Sequence, residues 1–264
     1  MISVVIRNKN EAVSLEKLLK LLHQFYDEDI DQVIVVDNES TDNSIKIANS
    51  YNAQVTTIKD FTYGKAINLG MKQARNPYVL LLSSHAYPLG DRFFKDSISL
   101  LEHNQSIAAL RYINSFADYE RFIHNNGVVK EPVKFGTMNA CAMIRKSAWE
   151  QFPFDEKLMF SEDKKWSEEI TDNLLSVQQI RHTFFYHVQR NRGNNLTRWF
   201  NETTAAHILN RKDPPSALKA ILIFIKANTV DAIEHYLINF VTSFKRLRLS
   251  LTMKRMIKQY HKDE

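Results

Sequence analysis

Short apolar runs alternate with segments of helical period along the first hundred or so residues, and each run breaks off at a polar cluster. Ser3 to Ile6 is followed by polar RNKNE and then by Leu15, Leu18, Leu19 and Leu22 at the spacing of one helix face, which predicts strand, loop, helix. Val33 to Val36 is β-branched throughout and stops at Asp37. Asn38 to Asp42 is rich in turn and capping residues, and Ile45, Ala48 and Tyr51 line one face of the helix expected next. Val55 to Ile58 predicts a third strand, Lys65 to Arg75 a helix, Tyr78 to Leu82 a fourth strand and Phe93 to Glu102 a further helix. Ile107 to Ile144 mixes both periods, and Thr183 to Val188 predicts a final strand that takes in His187. Strands alternating with helices predict an α/β protein with a doubly wound, mostly parallel sheet flanked by helices. Such sheets bind ligands at the carboxyl ends of their strands, near a switch in strand order, so Arg7, Asn8, Asp37, Ser83 and His85 are expected to converge on one crevice.

From Pro214 and Pro215 the character changes. Leu218, Ile221, Leu222 and Ile225 recur at helical spacing, as do Ile233, Tyr236, Leu237, Phe240 and Phe244, predicting two amphipathic helices. The boundary is placed near residue 211, dividing a domain of residues 1–210 from a C-terminal helical extension, 211–264. Charge supports the division. The net +5 resides in the extension, which holds 11 Lys/Arg against 5 Asp/Glu and leaves 24 against 25 elsewhere.

From Lys245 to Lys262 there are seven basic residues and no acid, beside an apolar stripe of Leu249, Met253, Met256, Ile257 and Tyr260. Three readings fit: contact with an anionic membrane surface, a packed helix with a solvated face, or a dimer contact. No module for nucleic acid accompanies the charge, so none is expected as partner. The apolar stretch Ala220 to Ile225 is far short of the roughly 20 residues a spanning helix needs. A single cysteine, Cys141, excludes an internal disulfide, and Met1 leads into Ile2 to Ile6 with no export signal. A cytoplasmic protein is expected, with peripheral contact at the inner face of the membrane as an option.

Five segments then carry the chemistry. In order, SVVIRNKNE, VIVVDNESTDNS, GKAINLGMKQA, LLLSSHAYP and FDEKLMFSEDKKW resemble the landmarks of family 2 glycosyltransferases with the GT-A fold, over about residues 1–190. The resemblance implies inverting transfer of a sugar from a nucleotide diphosphate sugar to a glycan or lipid-linked acceptor, in bacterial surface polysaccharide synthesis. It implies a nucleoside contact for Asp37, a donor pocket around Arg7, Asn8 and Glu11, and an approach to base and phosphates by Lys65 and Asn68, with Gly64 giving backbone freedom. Asp163 would be the base that takes the acceptor proton, with Glu162 positioning the acceptor. Arg190 and Arg192 would meet the departing diphosphate.

The family's metal motif is Asp-x-Asp, and Ser83, Ser84 and His85 stand in its place. His187 matches a histidine that completes the metal or diphosphate site in many members. Imidazole suits Mn²⁺ better than Mg²⁺, which prefers oxygen. Three roles therefore stay open for His85: a Mn²⁺ ligand, a hydrogen-bond donor to the diphosphate, or a structural residue in an inactive homologue.

Plainer readings stand beside these. Asp37, Asn38, Ser40 and Asp42 have the composition of a helix cap, with Ser40 or Asp42 as the capping residue. Glu162 and Asp163 suit a solvated helix start, Trp166 suits packing, and an isolated, buried Cys141 would be inert. The competing function is a catalytically inactive GT-A-like protein that binds nucleotide or a partner. A sugar-phosphate nucleotidyltransferase is set aside, because no glycine precedes Gly64 to build a phosphate-binding loop.

Overall fold

The computed structural model describes residues 1–187 and 192–260. It divides into two compact units, Met1–Lys212 and Asp213–Glu264.

The first unit begins with β1 (Ile2–Asn8), α1 (Ala12–Tyr26), β2 (Ile30–Asp37), α2 (Ser44–Ser50), β3 (Gln54–Thr57), α3 (Tyr63–Gln73) and β4 (Tyr78–Ser83). It continues with β5 (Ala86–Leu89), α4 (Phe93–His103), β6 (Ile107–Ile113), α5 (Phe116–His124), the short α6 (Pro132–Phe135) and β7 (Cys141–Arg145). Then come α7 (Lys146–Gln151), α8 (Glu162–Asp172), β8 (Ser176–Tyr186) and α9 (Arg192–Leu209). The second unit holds α10 (Ala217–Asn228) and α11 (Val230–Tyr260).

One eight-stranded sheet runs in the order β3-β2-β1-β4-β7-β6-β8-β5. β1, β2, β3 and β4 pair in parallel, as do β6 and β8, while β7 runs antiparallel to both its neighbours and β5 antiparallel to β8. The parallel half has the expected cause. Apolar residues on successive positions of β1 face opposite sides, so Val4 and Ile6 pack with Leu15 and Leu18 of α1 while Val5 packs with Ile67 and Met71 of α3. Strand order reverses at β1, between β2 and β4, which opens the crevice at the carboxyl ends of these strands.

Two expectations are corrected. The last strand begins at Ser176 rather than Thr183 and ends at Tyr186, before His187, with Val188 outside the described residues; Gln178 and Gln179 lie in it, and the buried Gln179 side chain donates to the carbonyl of Asp118 at 3.0 Å. Polar residues with such partners break the apolar pattern without breaking the strand. Gly64 lies inside α3, two residues after its N-cap Thr62, rather than ahead of the helix. Its value is closeness of approach: a Cβ there would stand 2.1 Å from the backbone oxygen of Asp155. Gly64→Ala is therefore expected to destabilise the domain by about 2–4 kcal/mol, read as a lower urea midpoint. A midpoint within error of wild type would show that the 154–156 turn yields freely.

Candidate functional site

Polar residues close the strands of the crevice. Arg7, near the end of β1, is 9% exposed. Its Nη2 donates to the Asn139 carbonyl at 2.7 Å and to Ser83 Oγ at 3.3 Å, and its Nη1 stands 3.9 Å from Glu162 Oε1. The Tyr63 ring lies under the guanidinium, 5.2 Å from centroid to Cζ. One side chain thus connects β1, β4, the turn before β7 and the start of α8.

The loop after β2 is organised by Asp37, which is fully buried. Its Oδ1 accepts from Asn8 Nδ2 at 3.0 Å and Ser40 Oγ at 2.6 Å, and its Oδ2 accepts from Ser40 N at 2.8 Å. Asp37 shapes this loop rather than lying open on it. Neither Ser40 nor Asp42 is a cap, since Glu11 and Asn43 hold the cap positions of α1 and α2, but Asp42 accepts from the first amide of each helix, Ala12 N and Ser44 N, at 2.9 and 3.0 Å. Burial would raise the Asp42 carboxyl, and the bonds from Ser44 and Ala12 outweigh it and hold it below the usual value. Glu11 precedes α1 and accepts from Ser14 Oγ at 3.0 Å.

Asn68 is a correction. Its Nδ2 donates to Phe154 O at 2.8 Å and Glu156 Oε1 at 2.9 Å, and its Oδ1 accepts from Trp149 Nε1 and Phe154 N at 2.8 and 3.1 Å. All four of its bonding positions are spent on Trp149 of α7 and the turn after it, which leaves none for a nucleotide. Lys65 pairs with Asp60 at the surface.

In the Ser-Ser-His segment, Ser83 N donates to Ala140 O at 2.9 Å and Ser84 N to Arg7 O at 3.1 Å, so the turn is pinned to both neighbouring strands. His85 stacks obliquely on Tyr186 with ring centroids 5.0 Å apart. Ala86 pairs with Tyr186, and His187 N donates to His85 O at 3.0 Å, which sets the two histidines opposite each other across an antiparallel ladder. Among the described residues no group of three or more His, Cys, Asp or Glu could hold a metal. As residue types, His85 and His187 would suit a Mn²⁺ with further ligands beyond these two, and would not suit a Mg²⁺ caged by protein oxygens. Arg190 lies outside the described residues, as does the side chain of Arg192 at the start of α9.

The two acids that open α8 face different surroundings. Glu162 is 5% exposed and accepts from Asn139 Nδ2 at 3.2 Å. Burial, and then the charge of Asp163, push its carboxyl up to about 7 against the pull of Arg7. Asp163 is partly exposed, and its Oδ2 accepts from Met138 N at 3.1 Å. Burial raises its carboxyl too, opposed by Lys164 and Arg111. Trp166 is packed, stacked on Phe154 with centroids 4.9 Å apart. Cys141 is buried, and desolvation pushes its thiol well above the ordinary value, so it is no nucleophile at neutral pH.

Sequence reasoning missed Tyr63, Gly136 and Arg111. Arg111 carried a legible signal, a charge within the apolar run IAALRYI. Gly136 has φ +58°, and a lone glycine between Phe135 and Thr137 is its only trace in the sequence.

The description "Glycosyl transferase family 2" belongs to the family model that matches residues 3–175. No curated protein matches the chain. Solved structures share the fold. A mannosyltransferase from Pyrobaculum calidifontis, in complex with GDP-Man and Mn²⁺, superposes with TM-score 0.61 at 15% identity, over 85% of this chain and 68% of that one. Glucosyl-3-phosphoglycerate synthase from Mycobacterium tuberculosis gives 0.60 at 17% identity, over 81% of each chain. S. aureus TarS in complex with UDP-GlcNAc gives 0.57 at 19% identity, over 82% of this chain and 68% of that one.

Glu162 allows a test by stability alone. Its folded-state value of about 7 lies above the ordinary 4.5, so the folded protein holds a proton that the unfolded chain has released, and stability falls as pH rises between these values. Glu162→Gln lacks this loss. It is expected to melt close to wild type near pH 4.5 and above it at pH 8, by up to about 3 kcal/mol. A melting difference that does not grow with pH would contradict the buried, protonated carboxyl.

Proposed function

The chain belongs to glycosyl transferase family 2, and on that premise we propose that it transfers a sugar, with inversion, from a nucleotide diphosphate sugar to a glycan or lipid-linked hydroxyl. The observation that carries this reading is the crevice at the β1–β4 switch. There the Ser83–His85 turn meets Arg7, and through Arg7 the acidic start of α8.

In this reading the Asp37 loop, with Asn8 and Glu11, forms the nucleoside end of the crevice, and Ser83, Ser84 and His85 face the diphosphate. Asp163 is the base, since it is the partly exposed acid of the pair and burial has raised its basicity. Its carboxylate takes the proton of the acceptor hydroxyl, and the hydroxyl oxygen bonds to the anomeric carbon. The bond from that carbon to the diphosphate oxygen breaks, and the nucleoside diphosphate leaves with the electron pair. Glu162, held by Asn139, keeps this corner in register. A divalent ion shared by His85, His187 and the diphosphate would neutralise charge on the leaving group.

Asp163→Asn is expected to lower transfer by at least about a hundredfold while nucleoside diphosphate affinity stays within about twofold. Transfer that survives the change would place the base elsewhere. His85→Ala is expected to weaken nucleoside diphosphate binding about tenfold in a titration with Mn²⁺. An unchanged dissociation constant with and without Mn²⁺ would remove His85 from the donor site.

A lipid-linked acceptor is favoured by the second unit. Leu218, Ile221, Leu222, Phe224 and Ile225 of α10 are 49–69% exposed, as are many apolar residues of α11, and Lys245, Arg246 and Arg248 stand among the latter. Among the described residues, no helix is long and apolar enough to cross a membrane. Apolar side chains beside uncompensated cations suit an anionic lipid surface. The chain is expected to sediment with phosphatidylcholine vesicles containing phosphatidylglycerol, less so at high salt, and a triple Ile221→Ser, Leu222→Ser, Phe224→Ser variant to lose this. Equal recovery with and without anionic lipid would sink the proposed contact.

A further inference from the structure

Asp163 is held by the segment between α6 and β7, whose Asn139 also meets Arg7 and Glu162. Between α6 and β7 the chain turns at Gly136, whose φ of +58° and ψ of −167° belong to a region that side chains seldom enter. A Cβ on Gly136 would stand 2.7 Å from Asp163 Oδ2 and 3.0 Å from its Cγ, so the backbone lies directly against the carboxyl group. Two residues on, Met138 N donates to the same Oδ2 at 3.1 Å.

What holds this turn is a charged side chain in the middle of an otherwise apolar strand. Arg111 of β6 is 6% exposed; its Nη1 donates to Phe135 O and, at 3.1 Å, to Gly136 O. Its Nη2 donates to Asp118 Oδ1 at 3.0 Å. Asp118 is also held by Arg121, and by Ser115 Oγ at 2.9 Å, so it anchors the guanidinium from the far side. Burying such a group is costly unless its donors are used; here Nη1 meets the two carbonyls that lead into Met138 and Nη2 meets Asp118, while Nε is buried without a partner among the described residues.

We propose that Arg111 is a positioning residue for the reaction: it clamps the Phe135–Gly136 carbonyls, and the clamped turn fixes the Asp163 carboxylate through the Met138 amide. The inference rests on Asp163 being the base. The charged groups around that carboxyl are Glu162 and Lys164 on its own helix and Arg111 from β6, while Lys134 and Glu131 beside α6 bond to each other at the surface. Arg111 opposes protonation of Asp163, so its charge and its grip both bear on the base.

Arg111→Gln removes the charge and keeps a donor for the carbonyls, and Asp118 retains Arg121 and Ser115 as partners, so the fold is expected to survive. In this variant the acid limb of the kcat profile should move to higher pH, and kcat at neutral pH should fall about tenfold, with donor KM changing less than about threefold. Arg111→Lys, which restores the charge, should return the limb. Gly136→Ala, which pushes on the carboxyl directly, should lower kcat by about 10- to 100-fold with nucleotide affinity near wild type. An unmoved acid limb in Arg111→Gln, or kcat at wild-type level in both Arg111→Gln and Gly136→Ala, overturns the proposal.

Failure of the base assignment is distinguishable. If Asp163→Asn retains transfer, the clamp is read without turnover from the carbon-13 titration of the Asp163 carboxyl, assigned by its absence in Asp163→Asn. A titration displaced upward in Arg111→Gln supports the clamp, and one that coincides with wild type refutes it.

Discussion

The guanidinium of Arg7 lies almost sealed near the end of β1, within reach of Ser83 on β4, the Asn139 carbonyl before β7 and Glu162 at the start of α8. A cation so placed is tolerable only if its donors find acceptors and a counter-charge stands nearby. Those partners lie 76 positions away at Ser83 and 132 away at Asn139. Arg7 therefore makes the parallel half of the sheet, its antiparallel continuation and the acidic helix answer to one another. This junction holds the far walls of the crevice together.

The same junction separates two neighbouring acids. Successive residues on a helix point about 100° apart, so Glu162 meets Asn139 and Arg7 while Asp163 meets the Gly136–Met138 turn. Both carboxyls are raised by burial, yet only Asp163 is partly open to solvent. Environment rather than residue type thus sets the two carboxyls apart. The Ser-Ser-His turn follows a similar logic. Its histidine gains a partner from the antiparallel β5–β8 ladder, which sets His187 opposite His85.

Much of this was legible in the chain. The apolar runs, each ending at a polar cluster, located β1, β2 and β4 to within three residues at either end, because strands buried on both faces leave an unbroken apolar trace. The crevice residues followed, since the carboxyl ends of such strands are where polar groups gather. The ordered motifs pointed to the family that the match over residues 3–175 bears out. Less legible was the far half of the sheet, where Arg111, Gln178 and Gln179 interrupt the apolar pattern.

What the sequence determined by itself was local: which segments form strands, where each turns polar, and which residue types stand at those ends. The tertiary structure decided which of these polar groups remain available. Asn68 reads like a ligand contact and is wholly consumed by Phe154, Glu156 and Trp149, while Gly136 reads as an ordinary residue and comes to lie against Asp163, held there by Arg111. The physical reason is that hydrogen-bond capacity and closeness of approach depend on partners far away in the chain, which no local pattern encodes.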